Sequence, residues 1–540
     1  MATIIAVQTP FDLQSLEGFP YNTWSNNEAY YLELEAWYKG LKLTESVKEK
    51  STGKDIEKYP IKINPLKGTC EKHVAALFGN NVDSIQIGGI PVRILADTGK
   101  KIEKTDDGKI TDVVKEETEK AIQDVFEENG AGGMFLSNGI ISQYLSGCVF
   151  AASWIPEEKS ESTGNQGRIL ISNPSPKEFI GIPQGTDYWN LSKAWIVRQI
   201  TKEVAETYNV GLNQNDQEFW YIEEWTTKKR RITINGRVVN DDNDKPLDGD
   251  HPFGCVPIVY IPHVRVDRFL GESVVTEMVK GIIREMNLRW ADAGDAVNDD
   301  AHTLIAIKNV RGKLEEKYIG GRPVVDLGSS SGLGAGESNP DMQSVPTKSA
   351  ADVMIELGKE LYILYRRETN HPAVADGEDS GSQRSSLSLG VKMWPLVAHV
   401  EMERVFWSLG VVRFCKILLK MMALKKVYKI TEEHAKAKLK IVWAPMLPID
   451  RKALIDELAI RCTHNLGSDE LLMSLLGDIP NIEEEKKKIL AQKKEAIALL
   501  PKPVAGRRAG EVAPSSGGST APPKKNTDTP NTPPKKPVQK

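Results

Sequence analysis

The sequence predicts an α+β protein in which two long helices with acidic faces bracket a small β unit, the whole inserted into a mixed body of sheets and helices. Three observations carry this expectation. Arg168–Ser172, Trp195–Thr201, Phe219–Thr226, Arg230–Ile234 and Ile258–Pro262 are β-branched or aromatic runs separated by Asn, Asp, Gly and Pro, the composition of strands and turns. Gly271 to about His302 is one continuous helical pattern without an internal Pro, about 45 Å long at 1.5 Å per residue. A second helical pattern runs from an N-cap at Ser349, with Asp352 three residues on, to about Asn370. Between the two lie the strand runs Leu304–Val310 and Pro323–Leu327.

Composition bounds the class. At 540 residues the chain exceeds one ordinary core, and 40% hydrophobic with 27% charged residues describes a globular protein. The formal net charge of −4 argues against a protein that coats nucleic acid. That mean hides a split: residues 501–540 carry eight basic and two acidic side chains, a net of +6, which leaves −10 on the rest. The tail also holds nine of the 30 Pro and no aromatic residue, so it cannot offset the entropy of ordering and is expected to be disordered. It reads either as a solubilising tail or as a basic arm that touches an acidic partner. Five scattered Cys without a CxxC pair signal neither a disulfide framework nor a zinc ribbon, and no signal peptide is expected at Met1–Pro10.

Taken in order, Asn26–Lys39 reads as an amphipathic helix rich in aromatic residues. Cys70–Phe78, Glu116–Phe126 and Met134–Leu145 are further helices, the last leading into a strand at Cys148–Trp154. The strands of 168–263 follow, with an acidic turn-rich loop at Asn240–Asp250. In the first long helix Glu285, Asp292, Asp295 and Asp299 recur at spacings that share a face, while Val274, Val275, Met278, Ile282 and Met286 form an apolar stripe. The second long helix carries Asp352, Glu356 and Glu360 along one face. Ala373–Gly390, rich in Gly, Ser and Asp, is expected to be a flexible loop. Val391–Leu424 is the most hydrophobic stretch, but Arg413, Lys416 and Lys420 interrupt it at depth and argue for a buried helix, not a membrane span. Pro395 should kink or begin it. A strand, Leu439–Trp443, and helices at Arg451–Cys462, Ser468–Leu476 and Asn481–Leu500 close the folded part.

Motifs for chemistry are few. Asp97-Thr98-Gly99 follows an apolar run, as in aspartic proteases, but two carboxylates must share a proton there and no second triplet exists; a turn at Asp97–Lys101 explains it. Asp292, Asp295, Asp299, Asp300 and His302 have the donor types of a hard-cation site, facing Asp352, Glu356 and Glu360. This supports an alternative reading, a metal-dependent enzyme using the acidic helix 285–302, beside the plain reading of a solvated acidic face. The glycines of Gly328–Ser338 are not followed by Lys-Ser/Thr and open no helix, so they form no phosphate loop. Neither Gly-x-Ser-x-Gly nor His-Glu-x-x-His occurs, and no catalytic residue, metal or cofactor is expected.

The order of several segments carries a resemblance. They are Trp37-Tyr38-Lys39-Gly40, the run Ile182–Leu191 before the sheet, Pro252–His263 before the first long helix, Gly294–Asp300 at its end, Gly377–Ser385, Met393-Trp394-Pro395-Leu396 and Trp443–Pro448. With the bracketed helices they resemble the portal proteins of long-tailed bacteriophages over roughly Asn26–Leu500. The resemblance implies a dodecameric ring at one vertex of the capsid, in the virion, assembled in the host cytoplasm. The α+β parts 1–264 and 391–445 would be the wing, 265–302 and 347–371 the stem helices, 303–346 the clip and 446–500 a helical crown. Residues 372–390 would be a tunnel loop facing DNA, with Asp376, Glu378, Asp379, Ser380, Gly381, Ser382, Gln383 and Arg384 at the channel. Glu285, Asp292, Asp295, Asp299, Glu356 and Glu360 would face the lumen, or else pair with the basic residues Arg284, Arg289, Lys359, Arg366 and Arg367 on the same helices. Implied partners are further copies of the chain, the large terminase subunit, the head-to-tail adaptor, major capsid and scaffolding proteins, and double-stranded DNA passing through for packaging and ejection, with no membrane.

Overall fold

The computed structural model describes residues 18–43, 62–79, 90–97, 113–156, 167–208, 218–240, 248–266, 269–301, 351–378, 386–446 and 451–464, with short pieces between and beside them. The expected loop at Gly328–Pro340, the cap at Ser349 and the tail 501–540 lie outside the described residues, as do most of the two last helices. The chain divides into two compact units, Met1–Asp450 and Arg451–Lys540.

In the first unit, helix α1 (Tyr21–Tyr38) buries Trp24, Tyr31, Leu34 and Trp37. Helix α2 (Leu66–Phe78) precedes strand β1 (Arg93–Asp97); Asp97 is the strand's last residue, and Thr98 and Gly99 lie outside the described residues. Helix α3 (Val113–Glu128) buries Thr118, Ala121, Ile122, Val125 and Phe126, the stripe its periodicity predicts. The chain turns at Gly130, in left-handed conformation, into α4 (Ala131–Tyr144). Strand β2 (Gly147–Ile155) is the centre of a three-stranded antiparallel sheet with β3 (Arg168–Ser172) on one side. The other neighbour, Ile258–Pro262, is buried at every residue.

A second antiparallel sheet runs in meander order. It begins with β4 (Phe179–Gln184) and continues through β5 (Asp187–Ile200), β6 (Phe219–Thr226) and β7 (Lys229–Ile234). The sequence reading placed Ile182–Leu191 before the sheet; it is instead the β4–β5 hairpin, turning at Gly185 (φ +63°). Gly181 and Pro183 weaken the strand signal of β4. They are tolerated because β4 is the edge strand and its register shifts at Ile182/Pro183 and Pro183/Gln184. Strand β8 is the Ile258–Pro262 segment already placed.

Helix α5 spans Glu277–Ala301, not 271–302. Before it the backbone bonds sideways: Glu272 donates to the Val264 carbonyl and Val274 to the Gln143 carbonyl, so residues 272–274 have no helical ladder to join. Gly271 passes so close that an added Cβ would lie 2.3 Å from the Ser146 carbonyl. The apolar stripe is also shifted. Val274, Val275, Val279, Ile282, Ile283 and Met286 are buried, while Met278 is exposed on the other side. Among the described residues the inserted β unit has four strands, β9 (Ile305–Lys308), β10 (Tyr318–Ile319), β11 (Arg322–Asp326) and β12 (Asp341–Ser344), in the order β10-β11-β9-β12, two more than expected. Helix α6 (Ala351–Glu368) follows.

Helix α7 runs 40 residues, Ser386–Lys425, and holds Pro395 inside it. Its start corrects the expectation of a loop to Gly390: Ser386–Gly390 is helical, carried by cooperative extension of a very long helix in spite of weak formers. Pro395 forfeits only its own N–H, which would have reached the Val391 carbonyl. Beyond it Trp407, Val411, Phe414, Cys415, Leu418 and Met422 are buried in the main core. There Trp407 meets Phe78 (centroids 5.4 Å) and Phe150 (6.2 Å), and Gly410 lets the helix lie directly on Ile261 of β8, where a Cβ would meet Ile261 Cγ1 at 2.5 Å. Strand β13 (Lys438–Val442) pairs antiparallel with β1 and closes the unit. Among the described residues no helix is long and apolar enough to cross a membrane. The second unit is described chiefly by α8 (Arg451–Thr463), as expected there, with Leu458 buried.

Candidate functional site

The two long helices form the most extensive helix contact of the first unit. Gly358 of α6 lies against Trp290 of α5, where an added Cβ would sit 2.9 Å from the indole Nε1. Further along α6, Tyr365 shares a cluster with Val279, Ile282 and Ile283, earlier along α5, so the helices run antiparallel. The pair therefore has one end rooted in the body and the other at the four-stranded β unit.

The root is held by polar contacts that only a few side chains could make. Lys280 is 1% exposed, and its Nζ donates to Glu33 (2.8 Å) and Glu277 (2.6 Å). Burial disfavours its charge, but the two carboxylates outweigh this and hold Lys280 above its ordinary value. Asn287 clamps the backbone of Ile63 on both sides, accepting from its N–H at 2.6 Å and donating to its carbonyl at 3.0 Å. Arg284 stacks over Trp37 at 4.9 Å.

The acidic residues behave differently on the two helices. On α5, Arg289 donates through Nε to Glu285 (2.7 Å) and through Nη1 to Asp292 (3.2 Å), so both carboxylates are matched within their own helix. Asp295 is half-buried, and the side chains of Asp299, Asp300 and His302 lie outside the described residues. On α6, Asp352, Glu356 and Glu360 are all exposed. Among the described residues, neither α5 nor α6 contributes to a group of three side chains with metal-ligand spacing, and Asp299, Asp300 and His302 of the acidic cluster lie outside that search.

The expected tunnel loop differs from a free loop at its first residues. After Pro372 (φ −72°, ψ 149°), Ala373–Asp376 forms one 3-10 turn ended by Gly377 in left-handed conformation. This folds Asp376 and Glu378 back onto the last turn of α6. There Arg366 donates to Asp376 from Nε (3.0 Å) and Nη2 (2.7 Å), and to Glu378 from Nη1 (2.8 Å) and Nη2 (2.6 Å), while stacking on Tyr362. Lys72 also pairs with Asp376, and His371 Nε2 lies 2.9 Å from it. Burial keeps His371 below its ordinary value, against the pull of the Asp376 carboxylate. Burial pushes the Asp376 carboxyl up, but the bonds from Lys72, His371 and Arg366 prevail and hold it well below the usual carboxylate range. Asp379, Ser380, Gly381, Ser382, Gln383 and Arg384 lie outside the described residues. Sequence reasoning missed Lys72 and His371, and it named Arg366 only as one basic residue among several. The bracketing Pro372 and Gly377 were the available signal.

Helix α7 adds an apolar stripe on its outer side. Val391, Trp394, Met402, Val405 and Leu409 are 50–70% exposed. At 100° per residue they fall within about a quarter of the helix circumference.

A family model described as phage portal protein, SPP1 Gp6-like, matches residues 160–498 of the chain. No curated protein matches it. Among solved structures it is similar to a chain from the neck of a native GTA particle computed with C12 symmetry, at 11% identity and a TM-score of 0.32, over 77% of this chain and 91% of that one.

Proposed function

The chain belongs to the SPP1 Gp6-like family of phage portal proteins, and from that premise we propose that it assembles into a dodecameric ring at one capsid vertex, a conduit for double-stranded DNA. The family is structural and not enzymatic, and its place is the portal vertex of the virion. In this reading α5 and α6 are the stem, the β9–β12 unit is the clip, and the main body is the wing. The large terminase subunit meets the clip during packaging and the head-to-tail adaptor takes its place afterwards. Major capsid and scaffolding proteins surround the wing, and the ring assembles in the host cytoplasm before DNA enters.

The observation that carries this reading is the antiparallel α5–α6 pair, rooted by Lys280 and Asn287, with exposed Asp352, Glu356 and Glu360 along α6. Repeated around a ring, such a face concentrates negative potential. Duplex DNA carries one charge per about 1.7 Å of axis, so an acidic wall keeps contacts weak and lets the duplex slide. Glu285 and Asp292, matched by Arg289, add less to that field; Glu356 and Glu360 are the stronger lumen candidates, with Asp295 and Asp299 beside them. The exposed stripe of α7 supplies what a ring needs next, an apolar surface for a second copy of the chain. The segment from Asp379 to Arg384, which follows the Asp376 and Glu378 that Arg366 binds, is the tunnel loop in this reading.

Electron microscopy of the purified full-length chain tests the proposal. A ring with a central hole is expected. A monomer or dimer under all assembly conditions would overturn it.

A further inference from the structure

Away from the stem, the core holds an unusual concentration of histidines around one carboxylate. His399 and Glu403 are one turn apart on α7, and His263 follows directly on the last residue of β8. One ligand atom from each of these three lies within 4.8 Å of the others. Glu403 is fully buried and His263 is 2% exposed, so neither is satisfied by water at the surface.

The hydrogen bonds around them leave the inner atoms open. His263 Nδ1 lies 2.9 Å from the Glu272 carbonyl and donates to it, which directs its Nε2 inward, 3.1 Å from Glu403 Oε1. That carboxylate oxygen also accepts from Gln143 Nε2. His399 Nε2 and Glu403 Oε2 are buried with no hydrogen-bond partner, and so is Nε2 of His73, whose Nδ1 donates to Gln143 Oε1 at 3.3 Å. The rings of His263 and His73 stand 5.2 and 5.3 Å from that of His399. Natural cores rarely leave such a set unpaired.

We propose that His263, His399 and Glu403 bind a divalent transition-metal ion, with Zn²⁺ the best match. Two imidazoles and a carboxylate are a zinc donor set, and nitrogen ligands disfavour Mg²⁺ and Ca²⁺. A ring N–H given to a backbone carbonyl, as His263 gives its own to Glu272, is the usual support of a metal-bound histidine, because it fixes the tautomer and aims the other nitrogen. Tetrahedral zinc bonds of 2.0–2.1 Å separate ligand atoms by about 3.4 Å. His263 and Glu403 already stand near that spacing, and His399 needs only a side-chain adjustment. A water completes the fourth position, with His73 Nε2 open to accept from it. The ion would fasten the connection between β8 and the first stem helix to the middle of α7. This role is structural and does not depend on the ring.

The test uses the full-length chain, free of any histidine tag, stripped with a chelator and titrated with Zn²⁺ against a chromophoric competitor. One Zn²⁺ per chain is expected, with a melting temperature that rises with zinc concentration, and Co²⁺ should give the visible spectrum of a tetrahedral nitrogen-oxygen site. His399→Gln and Glu403→Gln, each checked for folding by circular dichroism, should lower zinc affinity by about 100-fold. His251→Gln, in a separate part of the fold, should not. The proposal fails if the stripped wild-type chain takes up no stoichiometric zinc, in which case His263 and Glu403 are a metal-free buried ion pair. It fails equally if both variants bind zinc as the wild type does.

Discussion

Arg366 and Asp376, ten residues apart, are joined through two guanidinium nitrogens of one and a single carboxylate oxygen of the other, at 3.0 and 2.7 Å. This contact fastens the segment after α6 to the helix it has just left. Because Asp376 titrates lower in the folded chain than unfolded, its contribution is complete above about pH 4, the unfolded value, and is lost as the pH falls through its lower folded value. Asp376→Asn should cost about 2 kcal/mol at neutral pH. The gap from wild type should narrow steadily in acid, as chemical denaturation at a series of pH values would reveal.

The α7 stripe gives a prediction about assembly alone. Val405 and Leu409 are 57% and 50% exposed, so Val405→Asp with Leu409→Asp should change the stability of the isolated chain by no more than about 0.5 kcal/mol. Rings should be lost. Light scattering beside a thermal melt separates the two effects, and intact rings in the double variant would move the subunit contact elsewhere.

Gly358 offers a test of how closely the stem helices must approach. Gly358→Val places branched carbons against the Trp290 indole and should destabilise the folded chain by roughly 1–3 kcal/mol. Trp290→Phe in the same chain should recover part of that loss, measured by urea denaturation.

Charge on α6 should govern DNA movement and not folding. Replacing Asp352, Glu356 and Glu360 by Lys leaves exposed positions exposed, so rings should form, while in vitro packaging should slow and become more sensitive to salt. Unchanged packaging at low salt would remove these three residues from the channel wall.

Much of this architecture was legible because periodicity is a local property. Helices α2 and α3 and strands β3, β6 and β8 lie within a few residues of their expected spans, since each buries one face or one run, and α8 does so as well, although Leu458 is its one buried residue among those described. The failures have a common cause in distant partners. Residues 271–276 scan as helix but bond sideways to Gln143 and Val264. Gly181 and Pro183 weaken the strand signal so that no strand is expected there, yet they occupy an edge strand. Asp376 and Glu378 scan as free loop acids, yet Arg366 captures both. The histidines looked dispersed along the chain because the fold, and not the sequence, brings 73, 263 and 399 together; only the four-residue step from His399 to Glu403 hinted at it.

The β1–β13 ladder, pairing Arg93–Asp97 with Lys438–Val442, also bears on how the protein is born. About 340 residues separate its two strands, including both stem helices and the inserted β unit. At 5–20 residues per second, β1 waits roughly 20–70 s on the ribosome for its partner. The α5–α6 pair and the β9–β12 unit are thus synthesised before the body that roots them can close. Any contact between copies that needs the closed body is thereby deferred until residue 442 of each chain has been made.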